Sequence, residues 1–430
     1  MFTERLDFLP DLLALHAAHR AEFPFLLMSS GDQGWDMLFA AESTTLYHGG
    51  EGEAFVEALR GFQPQAVDNP HGLPFVGGYF LYLGYDLLSQ FEAKVDEALP
   101  DSFPLAAMAR VPAALLINRR EQSAWLVAET AAQLQHLQQL VHGIAPFNPH
   151  PVSLQSLQED PPQWYTDAVL RLKQYIYEGD VFQVNISRGW RAELGPEVAA
   201  PDLFAALRRA NPAPFSALAD FGSAQIVSSS PERLVRVRDG WADTRPIAGT
   251  HPRSPDPTED AALKQRLISS IKERAEHVML IDLERNDLGR ISQPGTVEVN
   301  ELMAVESYAY VHHIESNIRG RLRAEITPAD TIRALFPGGT ITGCPKVRTM
   351  QIIRELENSA RRAYTGSLGY LNRDGSMDLN ILIRTFMQEG QQLRFRAGGG
   401  IVADSDPERE LQETRHKARG LLRALGVEQA

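Results

Sequence analysis

Short apolar runs typical of β-strands occur along much of this sequence, and they do not alternate regularly with helical segments. Residues 1–145 contain runs such as FPFLLM and FVGGYFLYLGYDLL between glycine-rich turns, a pattern typical of strands with few helices. Residues 216–218 and 234–237 lie in alternating runs, which predict antiparallel strands with one buried face. Because a doubly wound α/β fold needs regular strand–helix alternation, the sequence predicts an α+β fold.

The chain divides into three stretches. The strand-rich residues 1–145 are followed by a polar, proline-bearing stretch at 146–163, which predicts a linker or a surface crossover. The third stretch, 164–430, begins with apolar residues at helical spacing and a glycine that ends the helix, namely Val169, Leu172, Ile176 and Gly179.

Composition excludes several classes of protein. The chain has 430 residues, 43% of them hydrophobic, and can bury a large core. Its net charge of -13 and its lack of a lysine- and arginine-rich run argue against nucleic acid as a partner. The first 27 residues include six charged ones, so we expect neither a signal peptide nor a membrane span, and we expect a cytoplasmic protein. A single cysteine, Cys344, leaves carboxylates and histidines as candidate metal ligands.

The segment FPGGTITGCPK, residues 336–346, is rich in glycine, proline and threonine. Such a segment can present backbone N–H groups and hydroxyls to an anionic ligand. A turn between two packed elements uses the same residue types, so the segment alone leaves both interpretations open.

Two predicted helices carry pairs of glutamates. The first spans about 259–283 and has Glu273 and Glu276 three residues apart, beside an apolar stripe of Leu263, Leu267, Ile271 and Val278. The second begins at Asp406-Pro407, a favourable start for a helix, and carries Glu410, Glu413 and Lys417. A solvated surface explains either pair alone. Together they are compatible with a Mg²⁺ site, because Mg²⁺ prefers carboxylate oxygens and retains several waters.

Other candidates lie between and beyond these helices. His312 and His313 occur in a strand-like run, so their rings are expected on opposite faces. Arg384 is a charge in an apolar strand-like run and needs an anionic partner. Tyr364 can contact the same anion or fill the core, and the three glycines 398–400 can bind a carboxylate or form a bulge.

Seven segments, in this order and spacing, resemble the chorismate-utilising enzymes. They are SSPERLVRV, RPIAGTHPR, RAEHVMLIDLERND, VHHIES, FPGGTITGCPK, AGGGIVADS and QETRHKA. The resemblance is dense over residues 165–425, and FPFLLMSSGDQGWDMLFA and GGYFLYLGYDLLSQFE resemble the opening segments of the aminating members. It implies a large sandwich of two antiparallel β-sheets flanked by helices, completed by residues 1–145, with chorismate bound by residues 164–430.

The resemblance also implies roles for individual residues. Glu276 and Glu413 match Mg²⁺ ligands, with Glu273 and Glu410 nearby. His313 matches an acid/base residue, and Glu232 matches a glutamate near the C4 hydroxyl of chorismate, where a general acid helps water to leave. The positions that match substrate-binding residues are Thr340, Tyr364, Arg384, Gly398, Gly399, Gly400 and Lys417.

Two segments disagree about which reaction is implied. FPGGTITGCPK resembles the FPGGSITGAPK of aminodeoxychorismate synthases more than the PAGTLSGAPK of anthranilate synthases, and the short chain and LLMSSG favour the same subgroup. Many members of that subgroup have a lysine nucleophile in PIKGT, whereas this chain has Ala248, the usual residue of anthranilate synthases. We expect amination of chorismate to 4-amino-4-deoxychorismate, for 4-aminobenzoate and folate biosynthesis, with anthranilate synthesis as the alternative.

No cysteine lies in a motif typical of a glutaminase nucleophile. We therefore expect a separate glutamine amidotransferase subunit as the source of ammonia. A subunit that binds chorismate without catalysis is a further possibility, and the intact glutamates, histidine and arginine argue against it.

Overall fold

Two large antiparallel sheets dominate the computed structural model, which describes residues 1–96, 101–307, 311–357 and 359–427. One sheet has 12 strands and the other has ten. Helices accompany both sheets, so the expected α+β fold with two antiparallel sheets is confirmed.

The strands are numbered along the chain. They are β1 (Phe2–Leu6), β2 (Phe25–Met28), β3 (Trp35–Ala40), β4 (Ser43–Tyr47), β5 (Gly78–Leu83), β6 (Ala106–Val111), β7 (Ala113–Asn118), β8 (Ser123–Ala128), β9 (Leu154–Glu159), β10 (Gln183–Leu194), β11 (Phe215–Asp220), β12 (Gln225–Ser230), β13 (Arg233–Arg238), β14 (Trp241–Arg245), β15 (Ile247–Pro252), β16 (Glu298–Ser307), β17 (Val311–Arg321), β18 (Gly343–Cys344), β19 (Ser367–Asn372), β20 (Met377–Asn380), β21 (Thr385–Glu389) and β22 (Gln392–Ile401).

The helices are numbered in the same way. They are α1 (Leu12–Ala18), α2 (Gly52–Arg60), α3 (Ala131–Leu140), α4 (Pro162–Tyr177), α5 (Ala200–Ala210), α6 (Pro257–Ser269), α7 (Ile271–Gly289), α8 (Pro328–Leu335), α9 (Lys346–Leu356) and α10 (Pro407–Ala424).

Both sheets combine strands from the two ends of the chain. The strand order of the first sheet is β1-β8-β7-β3-β2-β11-β12-β21-β22-β10-β18, with β9 also paired to β10. The order of the second is β15-β17-β14-β13-β20-β19-β5-β6-β4, with β16 also paired to β17. Residues 1–145 therefore share both sheets with the rest of the chain, and β9 lies within the stretch 146–163.

An aromatic core joins the two sheets. The rings of Phe25 on β2 and Phe80 on β5 stack at 4.2 Å, and Phe39 on β3 lies 6.2 Å from Tyr370 on β19. Leu26 and Leu38, the sequence neighbours of Phe25 and Phe39, instead belong to a cluster with helices α1, α3, α5 and α10. Alternation along these strands thus divides large side chains between the inter-sheet core and a helix-covered outer face.

The prediction of a single helix over 259–283 is wrong, because this stretch forms two helices. Two helices, α6 and α7, meet at Ser270, whose side chain accepts a hydrogen bond from the Glu273 N–H and caps α7. The predicted apolar stripe is also wrong, because Ile271 is 85% exposed and Val278 is 47% exposed, whereas Leu267 is fully buried. A capped break lets the second helix start in a new direction, so one continuous stripe does not form.

Among the described residues, no helix is both long enough and apolar enough to cross a bilayer.

Candidate active site

Three consecutive glycines lie on β22 where it pairs with β10. Gly398, Gly399 and Gly400 are opposite Ser187, Ile186 and Asn185. A Cβ atom at position 398 would lie 2.5 Å from the Ile186 carbonyl oxygen, and one at position 400 would collide with the Gln183 side-chain amide. This close approach explains why glycine is needed there.

Helix α10 brings its charged residues to these glycines. A Cβ atom at position 399 would lie 3.3 Å from Glu410 Oε2 and 3.6 Å from Glu413 Oε1. Lys417 Nζ donates to the Gly398 carbonyl oxygen at 3.0 Å and lies 2.8 Å from Glu413 Oε1. The expected start of this helix is confirmed, because the Asp406 side chain accepts from the Arg409 N–H and Pro407 is the first helical residue.

The FPGGTITGCPK loop is attached to the same strand, β10. The Asn185 N–H donates to the Thr342 carbonyl oxygen at 2.8 Å, and Gly343 and Cys344 pair with β10 as β18. Thr340 lies in a 3-10 turn over Gly339–Ile341, and its buried hydroxyl lies next to the Glu232 carboxyl. The loop therefore lies against β10 and beside Glu232.

Glu232 lies beside this loop, just after β12. It is 5% exposed, and its Oε1 has no hydrogen-bond partner in the described part of the chain. Burial raises the pKa of Glu232 to about 7, although the neighbouring Thr340 hydroxyl and Ile247 N–H oppose the shift. At neutral pH a large share of this carboxyl is protonated, which is the form that a general acid needs.

The two histidines of β17 have different surroundings, as expected from strand alternation. His313 is 2% exposed, with Nδ1 3.3 Å from the Gly249 carbonyl oxygen. Burial, together with the positive charge of Arg384, lowers the pKa of His313 to about 4, so the ring is neutral at pH 7. His312 lies between the Ser307 hydroxyl at 2.8 Å and the Asp260 carboxylate at 3.0 Å, a structural arrangement.

Arg384 does not lie in a strand, contrary to expectation. It occupies the connection between β20 and β21, which belong to different sheets, and has a φ of 52°. Its Nη1 lies 3.5 Å from Asn211 Oδ1. Burial lowers the pKa of Arg384, and the negative charge of Glu232 partly opposes this shift. Because that charge acts on Arg384, the crossover must place the guanidinium near the Glu232 carboxyl.

Tyr364 is buried beside a network of buried ion pairs that the sequence does not reveal. Burial raises the pKa of Tyr364 to about 12, and the Arg361 guanidinium lies 5.7 Å from the centre of its ring. Arg361 pairs with Glu357 at 2.7 Å, and Glu357 pairs with Arg396 at 3.0 Å. Arg361 also donates to the Asn185 carbonyl oxygen at 2.7 Å. The network therefore holds the segment from Arg361 to Tyr364 against β10.

Strand β15 places Ala248 next to the histidine. Ala248 pairs with Ile314, and Gly249, with a φ of 62°, presents its carbonyl to His313. A Cβ atom at position 249 would lie 2.9 Å from Glu273 Oε2. Glu273 is thus part of the packing around β15.

The sequence profile of the chorismate binding enzyme family matches residues 23–423. The chain belongs to this family.

Curated relatives of this chorismate-binding enzyme include members with two activities. The chain is 42% identical to aminodeoxychorismate synthase component 1 of Klebsiella aerogenes over 395 residues, 90% of this chain and 83% of the relative. It is 39% identical to anthranilate synthase component 1 of Pseudomonas aeruginosa over 401 residues, 87% of this chain and 80% of the relative. Both relatives support membership of the family. Because the two sequence identities are nearly equal, they do not indicate which of the two reactions this chain catalyses.

Solved structures of similar fold agree with this assignment. Anthranilate synthase component I from Streptococcus pneumoniae superposes with a TM-score of 0.80 at 32% identity, covering 91% of this chain and 93% of that chain. The menaquinone-specific isochorismate synthase of Escherichia coli gives a TM-score of 0.79 at 22% identity, covering 99% and 94%, and supports the fold alone.

The glutamates of this chorismate-binding enzyme provide the donor atoms that Mg²⁺ prefers. Glu410 and Glu413 lie together beside Gly399, whereas Glu273 packs against Gly249 and Glu276 is half-buried on α7. Within the described residues, no three His, Cys, Asp or Glu side chains form a group that could hold an ion. A site with one or two protein carboxylates, completed by substrate and water, fits these residues.

Sequence reasoning missed a buried acidic group next to Glu232. Glu284 and Asp287 on α7 are 5% and 1% exposed, and Lys346 donates to Asp287 Oδ2 at 2.8 Å. Lys346, in the glycine loop motif, is therefore paired within the protein. The three residues occur in LERND and GCPK, where charged residues suggest a surface, and only the packing of α7 against the loop shows that they are buried.

Proposed function

We propose that this chain catalyses the Mg²⁺-dependent amination of chorismate by ammonia at C4, giving 4-amino-4-deoxychorismate for 4-aminobenzoate and folate biosynthesis. The proposal rests above all on Glu232, a buried carboxyl with a pKa of about 7 that lies beside Thr340 and Arg384. The C4 hydroxyl leaves poorly, and an acid that is protonated at neutral pH assists its departure as water. The form of the FPGGTITGCPK loop supports C4 as the site of amination.

Chorismate carries two carboxylates, and the site offers separate groups for each. We assign the enolpyruvyl carboxylate to Arg384, Tyr364 and the N–H groups of residues 398–400, with Thr340 and Lys417 as further contacts. A bidentate guanidinium and backbone N–H groups suit a carboxylate.

We assign the ring carboxylate to a Mg²⁺ ion held by Glu276 and Glu413, with Glu273 and Glu410 nearby. The bound ion would neutralise this carboxylate and act as a Lewis acid. Lys417, which lies 2.8 Å from Glu413, would fix the orientation of that ligand.

The proton transfers in this scheme use two side chains. Glu232 gives its proton to the departing C4 oxygen, while neutral His313 accepts a proton as the C–N bond forms, because its pKa of about 4 leaves it unprotonated. In sum, ammonia replaces the hydroxyl group and one water is released.

Ala248 has no amine, so a lysine adduct at C2 cannot form at this position. Water or ammonia must act at C2, or ammonia must displace the C4 group directly. The same residue favours the alternative function, anthranilate synthase component I, in which C2 is aminated and pyruvate is lost. The Pseudomonas and Streptococcus relatives carry that name.

We also propose that a separate glutamine amidotransferase subunit supplies the ammonia. The single cysteine, Cys344, is paired with β10 through the backbone of the glycine loop, and burial raises the pKa of its thiol. A thiol with a raised pKa is a poor nucleophile for glutamine. Efficient use of glutamine by the purified chain alone would contradict this proposal.

One assay separates the candidate reactions. The purified chain is incubated with chorismate, Mg²⁺ and an ammonium salt, and chorismate absorbance and anthranilate fluorescence are followed. We expect chorismate to disappear only with Mg²⁺, and 4-aminobenzoate to form only after a separate lyase is added. Direct anthranilate formation would establish the alternative, and unchanged chorismate would favour a non-catalytic binding subunit.

A further inference from the structure

The buried face of helix α4 begins with a tyrosine that the scheme above does not use. Tyr165, Val169 and Leu172 recur at helical spacing and are each 0% exposed, so this face of α4 packs in the apolar core. Val169 and Leu172 need no hydrogen bonds there. The phenolic O–H of Tyr165 does, because a buried tyrosine hydroxyl normally has a polar partner.

The Tyr165 hydroxyl lies close to Gly399 on β22. Its oxygen would be 3.7 Å from a Cβ atom at position 399, and it has no hydrogen-bond partner among the described residues. Burial raises the pKa of Tyr165, and the nearby carboxylates of Glu410 and Glu413 raise it further. The phenol is therefore protonated at neutral pH and has a hydrogen to donate.

Three side-chain oxygens surround the point where Gly399 lacks a side chain. A Cβ atom there would lie 3.3 Å from Glu410 Oε2, 3.6 Å from Glu413 Oε1 and 3.7 Å from the Tyr165 hydroxyl. These distances are too long for Mg²⁺, whose bonds to oxygen are about 2.0–2.1 Å. They suit a water molecule, because small shifts of the side chains bring a water oxygen at this point within hydrogen-bond distance.

The donors and acceptors around this point match one water molecule. The water donates its two hydrogens to the two carboxylates and accepts the hydrogen of Tyr165. A buried water typically makes about three hydrogen bonds to polar groups of this kind. Lys417 contacts the same oxygen of Glu413 at 2.8 Å, so the ammonium and the water together fix the orientation of that carboxylate.

We propose that Tyr165 is a positioning residue for the Glu410–Glu413 pair. Its hydroxyl donates to a water molecule over Gly399, and this water orients the two carboxylates for Mg²⁺ binding. Any side chain at position 399 would occupy the space of the water. The inference rests on the proposed function, which assigns a Mg²⁺ ion to Glu413.

Binding of Mn²⁺ measures this role without turnover. Mn²⁺ takes the same oxygen ligands as Mg²⁺, and electron paramagnetic resonance measures the free ion in a mixture of the purified chain, chorismate and Mn²⁺ without ammonium. In Tyr165→Phe we expect the dissociation constant to rise about tenfold, because the hydrogen bond that orients the ligands is lost. An unchanged dissociation constant in Tyr165→Phe overturns the inference.

The matched control is Tyr82→Phe. Tyr82 is also 0% exposed, and its hydroxyl also has no hydrogen-bond partner in the described part of the chain. Its ring lies in the inter-sheet core, 5.5 Å from that of Phe221, so its removal should not change Mn²⁺ binding. Equal weakening in the two variants would show a general effect of losing a buried hydroxyl and would overturn the role of Tyr165.

A double variant tests whether one water links the two positions. Gly399→Ala places a methyl group where the water lies, so it should weaken Mn²⁺ binding as much as Tyr165→Phe does. The double variant should be no weaker than either single variant, because both changes remove the same water. Losses that multiply to about a hundredfold would show two independent effects and overturn the shared water.

Failure of the proposed function gives a different result. A wild type that binds Mn²⁺ as described but forms no 4-amino-4-deoxychorismate overturns the proposed function and leaves the role of Tyr165 in place. A wild type that binds no Mn²⁺ overturns both the metal assignment and this inference.

Discussion

Lys417 on α10 donates a hydrogen bond to the Gly398 carbonyl oxygen at 3.0 Å while its ammonium lies 2.8 Å from Glu413. One side chain therefore links a proposed metal ligand to the glycine strand. In Lys417→Met we expect the KM for chorismate to rise about tenfold, because a charge-assisted hydrogen bond that orders the site is lost. Steady-state kinetics check this, with the exposed Lys264→Met as control. Equal KM values in the two variants would contradict the role of Lys417.

Neighbouring glycines should respond differently to the same substitution. In Gly398→Ala the new methyl lies 2.5 Å from a backbone oxygen, so we expect a loss of about 1–3 kcal/mol in the free energy of unfolding. In Gly399→Ala it lies 3.3 Å from Glu410 Oε2, so stability should change little while the Mg²⁺ concentration for half-maximal activity rises about tenfold. Urea unfolding measures the first effect and Mg²⁺ titration the second. A destabilised Gly399→Ala would contradict the expectation that position 399 has room for a methyl group.

The pKa of Glu232 sets an expected pH dependence. The protonated form is the acid, so activity should be retained below the pKa and lost as pH rises through about 7. Glu232→Gln should lower kcat by about 10²–10⁴-fold and abolish this limb. The control is Glu178→Gln, at an exposed position. Persistence of the limb in Glu232→Gln would assign it to another group.

The metal assignment has its own test. Glu276→Gln and Glu413→Gln each replace a proposed anionic ligand with a weaker neutral one, so Mg²⁺-dependent turnover should disappear while circular dichroism and Tm stay close to the wild type. Unchanged turnover in either variant would refute the assignment of that glutamate.

The buried network around Glu357 should be a main source of stability near the site. Arg361 is 1% exposed and binds Glu357 through two nitrogens. Arg361→Met leaves Glu357 with one fewer partner in the interior, and we expect a loss of about 3–5 kcal/mol in urea unfolding. Arg348→Met, which breaks a partly exposed pair with Asp180, should change stability little. Similar losses in the two variants would argue against a special role for burial.

The sequence predicts the elements whose signals are local. Asp406 and Pro407 mark the start of α10, and alternation along β17 sends His312 and His313 to different surroundings. The break at Ser270 also has a local signal, since serine followed three residues later by glutamate is typical of a helix start. Periodicity alone ignores that signal and predicts one long helix.

Other parts of the site depend on contacts that no local pattern contains. Arg384 leaves the strand because the chain crosses between sheets there, and the left-handed backbone at this residue follows from that crossover. Glu284 is buried because α7 packs on the glycine loop. Burial of a charged residue is decided by tertiary partners, which short-range spacing does not specify.

Both sheets combine strands from the first third of the chain with strands from its later part. This arrangement affects how the protein folds while the ribosome is making it. Strand β5 pairs with β19, placing Leu83 opposite Ser367, and β2 pairs with β11. A nascent chain that has emerged only as far as β8 has neither sheet complete and leaves strand edges and aromatic side chains uncovered. Such distant pairing slows folding, so this enzyme should depend on chaperones while the ribosome is still translating its second half.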